Sequence, residues 1–121
     1  MKTNHIRSAK ALVSWVPAAK GGRKRAPAGP MYSTVARFAD DLNWPAEAWS
    51  LVVRKIRDYG GGRFWFAKVE FLVDDAPHGL LKPGARFDLY EGRKFVATGL
   101  VRGAQAKPPQ KTRALQAVLL S

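Results

Sequence analysis

The stretch that decides the fold is FWFAKVEFLV, residues 64–73. Apolar side chains recur at every second position in this stretch, and the charged residues Lys68 and Glu70 fall between them. This alternation is typical of a half-buried antiparallel strand, because successive side chains point to opposite faces of a sheet. The pattern predicts that one face packs in a core, and this face consists of Trp65, Ala67, Val69, Phe71 and Val73.

A second strand is predicted at Arg86–Tyr90, where Phe87 and Leu89 alternate with charged residues. The pair Glu91-Gly92 then favours a tight turn, because glycine readily adopts a positive φ. This order of strand and turn predicts one half of an antiparallel hairpin.

The returning strand of this hairpin is predicted at Phe95–Val101. Its Val96, Thr98 and Leu100 are expected to face the core, since they share one phase of the alternation. Gly99 within the run indicates either a bulge or a close approach of another part of the protein.

The upstream half of the chain predicts further strands at Ile6–Val16 and Met31–Phe38, separated by the loop AAKGGRKRAPAGP at residues 18–30. Glu47–Arg57 is ambiguous: we favour a strand from about Ser50, but Trp44-Pro45-Ala46-Glu47 also fits the opening of a helical turn. The apolar end ALQAVLLS, residues 114–121, fits either an extra strand or a short helix.

About six strands on short, Gly- and Pro-rich connections predict an all-β fold, either a closed barrel or a small sandwich. We favour a six-stranded antiparallel barrel, because closure removes the exposed edges of the sheet. The expected organisation is a barrel domain at residues 1–103 with a flexible basic loop, followed by a C-terminal tail at 104–121 that docks on the barrel or is flexible.

Composition narrows the class of protein. The 121 residues are enough for one domain, and the lack of cysteine excludes disulfides, thiolate metal sites and a cysteine nucleophile. No stretch approaches the roughly 20 apolar residues of a membrane span, and the N-terminus lacks a signal-peptide pattern, so we expect a cytoplasmic protein without a membrane partner. His5 and His78 lie far apart, and no nucleophile motif is present, so we predict no metal, no cofactor and no enzyme activity.

Positive charge is the strongest compositional signal. The net charge is +12, and residues 1–30 hold seven basic residues and no acidic one. Such a charge attracts polyanions, so RNA or a ribonucleoprotein is the leading partner. An acidic protein partner is the second interpretation, and a charge that only keeps the protein soluble is the third.

The best candidate for a phosphate-binding site is the loop at residues 20–25, in which two glycines lie among four cations. The alternative is a mobile, solvated loop. The nucleic-acid-binding residues predicted from the sequence are Lys20, Arg23, Lys24, Arg25, Arg63, Lys68, Arg86 and Arg93.

Aromatic residues on the outer face are the second candidate. Phe64, Phe66 and Tyr90 are expected to point outward beside cations, where they could stack on bases. We favour the alternative that the tail or a long loop covers them, because large exposed apolar patches are uncommon on monomers. Core positions are predicted for Trp15, Trp49 and Trp65, and the pairs Asp40-Asp41 and Asp74-Asp75 are interpreted as turn or capping residues.

Residues 81–101, LKPGARFDLYEGRKFVATGLV, resemble the final hairpin of the third domain of elongation factor Tu and related translation factors. In that family a Gly-x-Arg-Phe segment leads through an acidic residue and a glycine into Val-x-x-Gly-x-Val. The matching positions are Gly84, Arg86, Phe87, Glu91, Gly92, Arg93, Val96, Gly99 and Val101. Residues 69–81 resemble the preceding strand and connector, and residues 21–35 resemble the family's Gly-Gly-Arg loop. Gly29-Pro30-Met31 replaces the Arg-Pro-Gln part of that loop.

The resemblance implies a six-stranded antiparallel barrel, a surface used toward transfer RNA, and contacts with other translation domains. A phosphate-binding GxxxxGK[ST] motif is absent from the chain, so this would be the barrel without its GTPase. The sequence therefore predicts a stand-alone, non-catalytic module that binds structured RNA or a ribonucleoprotein. The alternative is a protein-interaction module that binds an acidic protein partner or forms a subunit of a larger assembly.

Overall fold

A computed structural model describes residues 7–104 of the chain, which form six β-strands and three short 3₁₀ turns. The strands are β1 (Ala9–Trp15), β2 (Met31–Phe38), β3 (Trp49–Tyr59), β4 (Phe64–Phe71), β5 (Arg86–Glu91) and β6 (Lys94–Ala104). The 3₁₀ turns are Ala18–Lys20, Gly60–Gly62 and His78–Leu80. The all-β prediction is confirmed for this part of the chain. A helix long and apolar enough to cross a membrane does not occur within 7–104.

The six strands close into an antiparallel barrel in the order β1-β4-β3-β2-β5-β6, with β6 paired back to β1. Closure pairs both edges of every strand, so the barrel has no open sheet edge. The prediction of a closed barrel rather than a sandwich is confirmed. The ambiguous segment at 47–57 is a strand that begins at Trp49. The predicted tail at 104–121 lies outside the described residues, apart from Ala104 at the end of β6.

The alternating residues of the strands fill the barrel with one core. Phe38 is buried in it, and its ring centroid is 5.5 Å from that of Phe71 and 5.1 Å from that of Phe87. Trp15 and Trp65 are buried edge to face at 5.0 Å, as predicted for core residues. Trp49 is half-buried and packs against this core. Burying these apolar surfaces is the main stabilising contribution to the fold.

The core-facing side of β4 ends at Phe71, two residues before the predicted end at Val73. Trp65 to Phe71 alternate into the core as expected, but Val73 is 45% exposed. The strand stops at Phe71, and the chain then turns, with the Ala76 amide donating to the Val73 carbonyl. Val73 was therefore assigned to the wrong face, because the apolar run continues past the point where the strand ends.

The predicted inner face of β6 is wrong beyond Val96. Thr98 is exposed and Leu100 is half-buried, whereas Ala97 and Val101 are buried. A register shift against β5 leaves Val96 without a pairing partner there, so Val96 and Ala97 both lie on the core side. A bulge inserts one extra residue and reverses the alternation after it.

The close approach predicted at Gly99 is confirmed. A Cβ atom placed on Gly99 would lie closer than 3.0 Å to three atoms of the Phe87 ring. Phe87 is 1% exposed and packs against Phe38, so the ring has no solvent to move into. Only glycine lets this aromatic core sit against β6.

Candidate nucleic-acid interface

Six of the eight predicted site residues lie at one end of the barrel. We call this the loop end: it consists of residues 16–30, the turn 60–63 and the β5–β6 turn 92–93. The residues at the loop end are Lys20, Arg23, Lys24, Arg25, Arg63 and Arg93. Lys68 lies on the outer side of β4, and Arg86 starts β5 at the opposite end. The structure thus brings most of the predicted set together but separates Arg86 from it.

The basic loop begins with a backbone path that is fixed against the end of β1. The Gly22 amide donates to the Pro17 carbonyl at 3.0 Å, and Pro17 forms an isolated bridge with Arg23. A Cβ atom on Gly22 would lie closer than 3.0 Å to the backbone of Val16. This contact requires glycine and places the following cations, Lys24 and Arg25, at the rim of the barrel.

Arg23 differs from the other cations of the loop because its guanidinium group already contacts other residues of the protein. Its guanidinium forms an ion pair with Glu91 and lies 5.5 Å from the centroid of the Tyr32 ring. The Tyr32 hydroxyl donates a hydrogen bond to the same carboxylate. This cluster ties the basic loop to β2 and to the end of β5. The charge of Arg23 is therefore compensated within the protein.

The cluster shifts the pKa values of two of its members. Burial raises the pKa of Tyr32 to about 12, and the hydrogen bond to Glu91 and its negative charge add to the rise. For Glu91, burial alone would raise the pKa of the carboxyl group. Hydrogen bonds donated by Tyr32 and Arg23 outweigh burial and hold that pKa below its ordinary value.

Stability at alkaline pH is expected to depend on Tyr32. A pKa that is higher in the folded state than in the unfolded state gives stability that is complete below about pH 10 and is lost as the pH rises to about 12. Tyr32→Phe removes this ionisation, so its unfolding free energy should fall less steeply over that range. Urea denaturation at a series of pH values measures the difference. Tyr59→Phe, at an exposed tyrosine, is the control. If the unfolding free energy fell equally steeply with pH in the wild type and in Tyr32→Phe, the loss of stability could not be assigned to the ionisation of Tyr32.

The basic loop and the Gly60–Gly62 turn enclose a cleft of about 260 Å³. Its cations are Arg23, Lys24, Arg25 and Arg63, and none of the described residues that line it is acidic. Its other residues are apolar or glycine, with Trp15 in one wall. The indole N–H of Trp15 is buried and finds no acceptor among residues 7–104. The cleft therefore concentrates positive charge over an apolar wall.

The outer wall of the barrel carries a second cationic group, which we call the cation row: Lys10, Lys68 and Arg54. Lys68 on β4 pairs directly with Lys10 on β1 and with Arg54 on β3. Directly opposite residues of antiparallel strands have their side chains on one face, so three like charges lie side by side. Arg54 approaches Glu70 at 3.5 Å, while Lys10 and Lys68 form no ion pair within the described part of the chain. Glu70 offsets part of the repulsion at Arg54, and the repulsion remains between Lys10 and Lys68.

Next to the cation row lies an apolar row formed by Leu100, Leu12 and Phe66 on three neighbouring strands. The Lys10 ammonium lies 5.9 Å from the Phe66 ring centroid, and Arg63 lies at the same distance from the Phe64 ring. Phe64 is 45% exposed, as expected for an outward aromatic residue. Each of the two outward rings of β4 thus has a cation over its face.

No known family model matches this chain, and no curated protein matches it either. The interpretation of the interface therefore depends on its own geometry. Among residues 7–104, no group of three or more His, Asp or Glu side chains is arranged to hold a metal ion.

Tyr90 does not contribute to the exposed aromatic surface as Phe64 does. The Trp44 ring stacks on it at 5.8 Å, and Phe95 packs against it at 5.8 Å. A long loop therefore covers Tyr90, which is the arrangement favoured from the sequence. Whether the tail covers Phe64 or Phe66 lies outside the described residues.

Sequence reasoning missed two members of the cation row, Lys10 and Arg54. Alternation alone places each of them on an outer face, but it does not say which residues are neighbours across strands. The pairing of β3 with β4 contains a bulge between Lys55 and Arg57, which sets the register. The alternation in β1 and β3 is a signal that Lys10 and Arg54 point outward. The sequence does not give the order of the strands around the barrel, so it does not show that both residues lie beside Lys68.

Proposed function

We propose that this chain is a non-catalytic module that binds RNA or a ribonucleoprotein through phosphate contacts along its basic surface. We further propose that the barrel is of the type found in the third domain of elongation factor Tu, and that it acts in the cytoplasm in a process related to translation. The observation that carries the proposal is the cation row on the outer wall.

Like charges directly opposite each other repel, and a polyanion along the cation row would replace that repulsion with attraction. Lys68 has a cation opposite it on both sides, and each such pair is unfavourable. Phosphates that lie across the three side chains would replace this repulsion with attraction and release counterions from the nucleic acid. A row of three facing cations in which only Arg54 has an acidic partner among the described residues supports a binding role.

The cation row is continuous with the loop end through β4. The outer side of this strand leads from Arg63 at the cleft, past the rings of Phe64 and Phe66, to Lys68. Stacking of a base on an exposed aromatic ring contributes about 1–3 kcal/mol in proteins that bind single strands. The same surface thus offers phosphate contacts along its length and two rings for unpaired bases.

Changing Lys20, Lys24 and Arg25 together to serine should weaken RNA binding by about tenfold at low salt, because three phosphate contacts are lost. Arg23 is left in place because its ion pair with Glu91 holds the loop. Fluorescence anisotropy with a labelled RNA hairpin measures the affinity.

The control for net charge is Arg7, Arg37 and Lys82 changed to serine, which removes the same charge at the opposite end of the barrel, where Arg7 and Lys82 are ion-paired with Asp74 and Asp40. Equal losses in both variants would mean that only net charge matters and would contradict an interface at the loop end. Unaltered binding in the loop-end variant would do the same.

The apolar row favours a second candidate function, the binding of an acidic protein partner. Leu12 is 37% exposed between Leu100 and Phe66, with cations on the adjacent row. Apolar surface surrounded by polar residues is typical of protein interfaces. Affinity capture with and without nuclease distinguishes the two candidates: protein partners that stay bound after nuclease treatment favour the second, and loss of all partners favours RNA.

A further inference from the structure

The cleft at the loop end differs from the outer wall in shape and in the donors that it offers. It is concave, and Gly60, Gly61 and Gly62 form part of its wall. All three have positive φ, at +59°, +71° and +92°, a conformation that side chains other than glycine rarely adopt. A Cβ atom at Gly61 or Gly62 would meet no atom within 4 Å, so this wall is bare backbone facing open space. A ligand can therefore approach the peptide groups directly.

The charge of the cleft suits a phosphate with more than one negative charge. Glu91 compensates Arg23, which leaves Lys24, Arg25 and Arg63 without an ion-pair partner among the described residues. A terminal phosphate monoester carries up to two negative charges at neutral pH, whereas an internal phosphodiester carries one. Three cations on opposite sides of a small cleft are better matched by the monoester.

The apolar part of the cleft suits the rest of a nucleotide. Trp15, Val16, Pro17 and Ala26 line it beside the cations. The volume of about 260 Å³ is slightly below the usual range of small-molecule sites, so the cleft suits no more than a single nucleotide unit. A nucleotide with its phosphate at the cations of the rim and its sugar against the apolar residues would contact both parts of the cleft.

We propose that this cleft binds a 5′-phosphorylated nucleotide, with the phosphate held by Lys24, Arg25 and Arg63 and approached by the backbone of the Gly60–Gly62 turn. The nucleotide is either free or at the 5′ end of an RNA strand. The inference extends the proposed RNA-binding function, because it assigns one particular phosphate to one particular place.

The test uses three probes with the full chain: adenosine 5′-monophosphate, and a short RNA of one sequence with either a 5′-phosphate or a 5′-hydroxyl group. In ¹⁵N-labelled protein, the monophosphate should shift the amide resonances of Gly60–Gly62. The phosphorylated RNA should bind about tenfold more tightly than the hydroxyl form. Tighter binding of the RNA alone, with weak binding of the monophosphate, assigns the ligand to a strand end; comparable binding of both assigns it to the nucleotide itself.

Variants of the cleft residues show whether the cleft causes the preference for the 5′-phosphorylated RNA. Arg63→Gln and Lys24→Gln should each reduce the preference for the 5′-phosphate, and Lys82→Gln at the opposite end should leave it unchanged. Equal affinity for both RNAs, with no shift of the three glycine amides, would overturn the inference while leaving general RNA binding intact. Conversely, binding of the monophosphate by a protein that fails to bind RNA would support the cleft and contradict the proposed function.

Discussion

Replacing Gly99 with alanine will lower the free energy of unfolding by about 3 kcal/mol, a large effect for the addition of one methyl group. The added methyl group would overlap the Phe87 ring, which lies closer than 3.0 Å to the position of the new atom. Phe87 is enclosed by the core, so either the ring leaves its rotamer or β6 moves outward. Urea denaturation of the wild type and the variant measures the loss.

Two controls make this prediction specific. Gly103→Ala adds the same methyl group to the same strand at a position where no described atom lies within 4 Å, so its effect should be small. Phe87→Leu combined with Gly99→Ala should be less destabilising than the sum of the two single changes, because the smaller side chain leaves room for the methyl group. An effect of Gly99→Ala no larger than that of Gly103→Ala would contradict the close approach.

Changing the cation row, Lys10, Lys68 and Arg54, to glutamine is expected to lower RNA affinity without lowering stability. RNA affinity should fall by at least tenfold, about one order of magnitude, because three phosphate contacts are lost. Stability should stay nearly unchanged, because the removal of facing like charges offsets the loss of the partly exposed Arg54–Glu70 ion pair. If the cation row served folding alone, its removal would destabilise the protein and leave the RNA affinity unchanged.

The same experiment needs a control for net charge. Arg7, Arg37 and Lys82 changed to glutamine remove three exposed cations at the opposite end of the barrel. Anisotropy and urea denaturation on both triple variants separate position from total charge. Loss of stability in the cation-row variant, with affinity equal to that of the control, would show that the row is structural.

The sequence predicts the strands well because alternation is a local property. Met31–Phe38 was located to the residue, and the inward set from Trp65 to Phe71 follows directly from the period of two. Errors occur where the alternation is interrupted. The bulge at Val96 reverses the pattern of β6, so Thr98 faces outward. Gly99 indicates a bulge or a close approach in this strand, but it does not place a bulge at Val96.

The candidate interface could be predicted only in part for a related reason. A run of cations in one loop is visible in the sequence, and the residues at 20–25 do lie at one end of the barrel. The ion pair between Arg23 and Glu91 joins residues 68 positions apart, so the sequence does not distinguish Arg23 from Lys24. The cation row likewise depends on which strands are neighbours, and the order β1-β4-β3 is a property of the closed barrel.

The most direct test of the proposed function is the salt dependence of RNA binding. If about six phosphates are neutralised, about three at the loop end and about three at the cation row, the logarithm of the affinity for duplex RNA should fall with the logarithm of the salt concentration at a slope of about −5, as for B-form DNA. The cation-row variant should make that slope less negative by about three. A slope close to zero for the wild type, or the same slope for the wild type and the variant, would contradict binding through the charges of this barrel.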